Sequence, residues 1–142
     1  MKIFIRNSKV EFQKNVPSGG EYEVKPDYLT SDYPVSAGYY LDTSRTIHHL
    51  AVYEGRCGVS SLISVDGISK IKISGVFGNQ YTAVLAFFND ATQTIGYGID
   101  VIKTTSGDYE WNVPSHYRYV RFGQNIDISG THRPWVIKFV VA

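Results

Sequence analysis

Polar and apolar residues alternate with a period of two along much of the chain. Lys70-Ile71-Lys72-Ile73-Ser74 alternates strictly, which predicts a half-buried strand. Over residues 135–141, Ile137, Phe139 and Val141 share one face and are expected in the core, with Lys138 turned outward. Residues 117–122 place Arg118, Val120 and Phe122 on one face and Tyr117, Tyr119 and Arg121 on the other. Residues 81–88 form the most apolar run and predict a central strand. No long window free of Gly and Pro carries apolar residues at i, i+3, i+4 and i+7, so no amphipathic helix is predicted.

Turn residues punctuate the strands. Asp66-Gly67 precedes the strand that starts at Ile68, and Gly78-Asn79 separates it from the next. Asn89-Asp90-Ala91-Thr92 follows the central strand, and Ser106-Gly107-Asp108 reads as a turn before Tyr109. Gly96-Tyr97-Gly98 sits in a β context and reads as a bulge or turn. Short strands at this spacing favour an antiparallel sandwich or barrel, and the fold class expected is all-β, an antiparallel β-sandwich of jelly-roll type.

The first 36 residues differ in character. They are poor in aliphatic side chains, and Pro17-Ser18-Gly19-Gly20, Pro26 and Pro34 interrupt them. The organisation read from this is an extended N-terminal arm or anchoring segment at 1–36 and a β-sandwich domain at 37–142. A first strand plus a long loop of the same domain is the competing reading. Ile3, Phe4, Ile5 and Phe12 are the candidate anchoring residues.

Composition narrows the function. A chain of 142 residues and 15.9 kDa suits one domain. Hydrophobic residues make up 43% and charged residues 19%, the balance of a folding globular chain. The net charge of +1 argues against a large nucleic-acid footprint. One cysteine, Cys57, cannot form an internal disulfide or a Cys-rich zinc site, and in Glu54-Gly55-Arg56-Cys57-Gly58 it reads as a small turn residue. No run reaches the roughly 18 to 20 apolar residues of a membrane span. The charged start, Met1-Lys2-Ile3-Phe4-Ile5-Arg6, does not read as a signal peptide, so synthesis in a cytoplasm is expected.

Catalytic patterns are absent from the sequence. There is no Gly-x-Ser-x-Gly elbow and no phosphate-binding glycine loop. His48 and His49 are adjacent, and on a strand they point to opposite faces, which does not suit one metal ion. The expectation is no catalytic residue, no metal and no cofactor. A pair of carboxylates for glycoside hydrolysis would have to come from Asp42, Glu54, Asp90, Asp100, Asp108 and Glu110, nearly all of which flank turns. Aromatic residues are the richer signal, with eleven Tyr, seven Phe and two Trp. An exposed aromatic ring stacks on the apolar face of a sugar, although strands also favour aromatics for packing alone. Tyr39, Tyr40, Trp111 and Tyr119 are the candidate glycan-stacking residues.

Four segments in order carry a family resemblance: AGYYLDTSRTI at 37–47, SLISVDGISKIKIS at 61–74, VLAFFND at 84–90 with QTIG at 93–96, and WNVP at 111–114 with YRYVRF at 117–122. Together, over roughly residues 37 to 128, this set resembles a carbohydrate-binding-module-like β-sandwich domain. Such domains occur in bacteriophage tail, baseplate and fibre proteins and in related proteins of gut Bacteroidales and their phages. Arg45 stands where that pattern usually has Gly. The resemblance implies core roles for Phe87, Val120 and Phe122 and a strand-entry role for Pro114. It further implies a non-enzymatic virion structural protein, made in the bacterial host cytoplasm and localised to the virion. Other virion proteins, met through the arm, and host surface glycans are the expected partners. A homo-oligomer is expected, without nucleic acid or membrane insertion. Two alternatives stand beside this. One is a purely structural capsid decoration, head-fibre or tail-joining protein. The other is a free bacterial carbohydrate-binding or small hydrolytic protein.

Overall fold

In the computed structural model, residues 15–25, 35–41, 47–51, 57–76, 84–89, 96–99, 106–125 and 135–142 are described. The alternation at 68–76 folds as a strand with Ile71 and Ile73 buried and Lys70 exposed. The strands are β1 Glu21–Val24, β2 Val35–Ala37, β3 Tyr39–Leu41, β4 Ile47–His49, β5 Cys57–Ser60, β6 Ile63–Ser64, β7 Ile68–Val76, β8 Leu85–Phe88, β9 Gly96–Ile99, β10 Ser106–Asn112, β11 Tyr119–Asn125 and β12 Trp135–Val141.

All pairings among the described strands are antiparallel. One sheet runs β1-β12-β7-β10 and the other β2-β5-β11-β8-β9, with β6 also paired to β11. Counting only β1, β5 and β7 to β12, the first sheet takes the first, eighth, third and sixth strands, and the second takes the second, seventh, fourth and fifth. That is jelly-roll strand order, in which most connections cross from sheet to sheet.

The two sheets share one core. Val24, Ile71, Ile73, Ile137 and Phe139 come from the first, and Leu85, Phe87, Val120 and Phe122 from the second. Val141 packs at its margin. A second cluster lies on the opposite face of the second sheet, where Val59, Ala86 and Phe88 meet Leu41, with Ile47, Leu62 and Tyr119 against them. The β3–β4 hairpin thus covers that face. Gly38, with φ of 81°, sits between β2 and β3, in a conformation that non-glycine residues rarely adopt. This cover explains why every residue of β8 is buried: Leu85 and Phe87 face one cluster, Ala86 and Phe88 the other.

Several expectations need correction. Within the 1–36 segment, Glu21–Val24 pairs with β12 and Val35–Ser36 with β5, so both stretches belong to the sheets rather than to an arm. Gly96-Tyr97-Gly98 is strand, paired residue by residue with β8. Ser106-Gly107-Asp108 is also strand, because Gly107 stands opposite Gly75 in the ladder. A Cβ built on Gly107 would lie 3.1 Å from Tyr109 Cε2, so the tyrosine ring lies over the glycine. Cys57 lies in β5 opposite Asn125, not in a turn. Arg118 precedes β11 and is exposed, unlike Val120 and Phe122. The turn at Gly78-Asn79 and Arg45 lie outside the described residues.

The outer face of the first sheet is charged. Lys72 contacts Glu21 at 2.6 Å and Glu110 at 3.6 Å, Lys138 contacts Glu21 at 3.6 Å, and Lys70 contacts Glu110 at 3.9 Å. These pairs run from one edge strand to the other.

Candidate functional site

A cleft of about 620 Å³ opens at one end of the two sheets. Its walls are the β6–β7 turn and the β10–β11 connection. The register of β7 against β10 brings them together: Lys70 faces Asn112, so residues just before Lys70 lie beside those just after Asn112. Val113 N–H continues that pairing by donating to Ser69 O at 2.9 Å.

Local sequence shapes both walls. Asp66-Gly67 makes the predicted turn, with Gly67 at φ 73°. Asp66 N–H donates to Ser64 Oγ at 3.2 Å, and Ile68 N–H to Val65 O at 3.0 Å. On the other wall, Tyr117 N–H donates to Pro114 O at 3.1 Å and closes a turn over Ser115 and His116. Val65 N–H donates to Arg118 O at 2.9 Å, while Arg118 N–H donates to Phe88 O at 3.0 Å. The segment around Arg118 is thereby fixed on both sides.

Tyr117 and Tyr119 line the cleft with Ser64, Asp66, Ser115 and Arg118. Tyr117 is half-buried, with its ring 6.1 Å from Phe87 and 4.2 Å from His116. Tyr119 packs against the cluster under the hairpin. The two tyrosines thus pack against separate clusters, Tyr117 on the main core and Tyr119 on the one under the hairpin. Aromatic surface, hydroxyls, one side-chain carboxylate and one guanidinium converge here, a set that can stack on a sugar ring and exchange hydrogen bonds with its substituents.

Of the candidate stacking residues, only Tyr119 reaches this cleft. Tyr39 and Tyr40 lie on the hairpin, Tyr39 tilted against His49 at 4.6 Å and Tyr40 stacked on His48 at 5.2 Å. Trp111 is half-buried on β10 against the main core, parallel to Tyr109 at 6.0 Å. Ile3, Phe4, Ile5 and Phe12 lie outside the described residues, as do Asp42, Glu54, Asp90 and Asp100. Glu110 is held in the ion pairs of the sheet face. Among the described residues, no group of three or more His, Cys, Asp or Glu side chains is gathered for a metal ion.

The sequence reading missed Asp66, Ser115 and Arg118 as site residues. Asp66-Gly67 was legible as a turn and Pro114 as a strand entry, but only the β7–β10 register makes them neighbours.

Behind the cleft, β5 and β6 run along the same edge of β11 with one extra residue between them. Gly123 faces Val59 and Val120 faces Ile63, so Ser60, Ser61 and Leu62 span only Arg121 and Phe122, a β-bulge. Buried Ser60 closes it: its Oγ accepts Phe122 N–H at 2.9 Å and donates to Ser61 O at 2.9 Å. Arg121 Nη1 donates to Ser60 O at 2.7 Å, and burial pulls the Arg121 pKa below its ordinary value.

No family model, curated protein or solved structure matches the chain.

Proposed function

We propose that the chain is a non-enzymatic bacteriophage virion protein whose β-sandwich is displayed outward and whose end cleft binds a host surface glycan. The site reading rests on one observation: Tyr117 and Tyr119 line a polar cleft between two turns at the end of the sheets. Loops gathered at the end of a rigid β-scaffold are a usual place for binding residues. The virion setting rests on the ordered resemblance over residues 37 to 128, in a tail, fibre or capsid-attached position. A single shallow site gives weak affinity, and repeated copies on a particle would supply avidity.

A glycan array probed with the multimerised protein tests the site. Binding that is lost on Tyr117→Ala or Tyr119→Ala, and kept on Trp111→Phe, supports it. No bound glycan, or binding lost only at Tyr39 or Tyr40, rejects the cleft. Gold-labelled antibody against the sandwich, imaged on intact particles, tests the setting. Label at the tail or fibres supports host recognition, and label over the head supports capsid decoration. Absence of the protein from a blot of denatured particles rejects the virion.

A further inference from the structure

The charges in the cleft are not equally committed. The lysines and arginines among the described residues are Lys25, Lys70, Lys72, Arg118, Arg121 and Lys138. Lys25 pairs with Glu23, the lysines at 70, 72 and 138 pair with Glu21 or Glu110, and Arg121 donates to Ser60 O. Arg118 stands apart: among the described residues its guanidinium has no carboxylate within 4.0 Å. It is also the cation that lines the cleft, between Tyr117 and Tyr119. Asp66 supplies the side-chain carboxylate of the same cleft, and its backbone N–H donates to Ser64 Oγ.

We infer that the cleft selects a sugar bearing a carboxylate, held by the guanidinium of Arg118. This rests on the glycan reading above and adds the ligand's charge. The backbone of Arg118 is anchored through Phe88 O and Val65 N–H, so the side chain leaves from a fixed point. A guanidinium offers a planar fork of donors that matches a carboxylate with two parallel hydrogen bonds, which an ammonium does not. The tyrosines supply apolar surface for the ring face, and Ser64, Ser115 and Asp66 suit its hydroxyls. Asp66 repels an acid brought close to it, so the carboxylate lies on the Arg118 side of the cleft.

The test uses oligogalacturonate and its methyl ester as probes, with binding measured by calorimetry on the full chain. The acid is expected to bind about tenfold or more tightly than the ester. Arg118→Gln is expected to erase that preference, Arg118→Lys to restore only part of it, and Lys70→Gln, which removes equal charge on the sheet face, to leave it intact. Circular dichroism confirms that each variant is folded. Equal binding of acid and ester, still sensitive to Tyr119→Ala, overturns this inference and leaves the glycan reading standing. Acid preference that falls equally in Arg118→Gln and Lys70→Gln overturns it too, because net charge is then the cause. Binding of neither probe, with neutral glycans bound on the array, also overturns it; binding of no glycan at all overturns both readings.

Discussion

Lys72 Nζ donates to Glu21 Oε2 at 2.6 Å, and the contact reaches from β7 to β1 across the intervening β12. The hydrogen bond from Lys72 is the main cause that holds the Glu21 carboxyl below its ordinary value of 4.5. The same bond raises the Lys72 ammonium above 10.5. A carboxylate with a lowered folded pKa adds stability that is present above 4.5 and is lost as pH falls through the folded value. An ammonium with a raised folded pKa adds stability that is present below 10.5 and is lost as pH rises through the folded value. Both groups are exposed, so the effect is small and salt-sensitive. Thermal melts of Glu21→Gln are expected to fall slightly below the parent at pH 7. The gap should close on acidification below 4.5 and shrink in 1 M salt; a gap that persists at low pH would reject the ionic origin.

Ser60 replaces a missing backbone acceptor at the β5–β6 bulge. Its Oγ is the partner of Phe122 N–H, and both residues are fully buried. Ser60→Ala keeps the volume nearly constant but removes the hydroxyl that accepts from that N–H. Urea denaturation should show a loss of about 1–3 kcal/mol. Ser115→Ala, at an exposed position, should stay within about 0.5 kcal/mol of the parent. A neutral Ser60→Ala would mean that water or a shifted strand satisfies the amide.

The period-two signal made the strands around Ile71, Ile137 and Val120 readable, because one face of each meets an apolar core and the other meets polar surroundings. Glycine misled the reading where it serves a strand. Gly107 and Gly98 have the composition of turns, yet they lie opposite Gly75 and Ala86 in ladders. Arg118 was misplaced because alternation was extended two residues before β11 begins. The cleft was hidden for a different reason. Its walls are separated by more than 40 residues of chain, from Asp66 to Ser115, and only the β7–β10 register joins them. Register depends on how the hydrophobic patterns of two strands match, so the residues of either wall alone do not reveal it.

Gly107 and Gly19 separate backbone strain from side-chain contact. Both have positive φ, at 137° and 83°. A Cβ on Gly19 meets nothing within 4 Å, whereas one on Gly107 meets the Tyr109 ring at 3.1 Å. Gly19→Ala should cost about 1 kcal/mol through backbone strain. Gly107→Ala should cost more, and Gly107→Ala combined with Tyr109→Ala should recover part of the difference in a double-mutant cycle. Equal losses in the two single variants would show that the ring moves aside freely.

Phe87 and Phe88 are adjacent in β8 and fully buried, but they serve different layers. Phe87 joins the two sheets, so Phe87→Ala should cost about 3–5 kcal/mol and destabilise the whole domain. Phe88 lies under the β3–β4 hairpin with Leu41 and Val59. Phe88→Ala should also lower global stability, and in addition it should loosen the hairpin selectively. Hydrogen exchange distinguishes the two. Amides of β3 and β4 should lose protection more than those of β7 and β12 in Phe88→Ala, because the cover over the second sheet can open while the shared core stays closed. In Phe87→Ala, protection should fall across both sheets together. A uniform loss in both variants would mean that the hairpin and the sheets open as one cooperative unit.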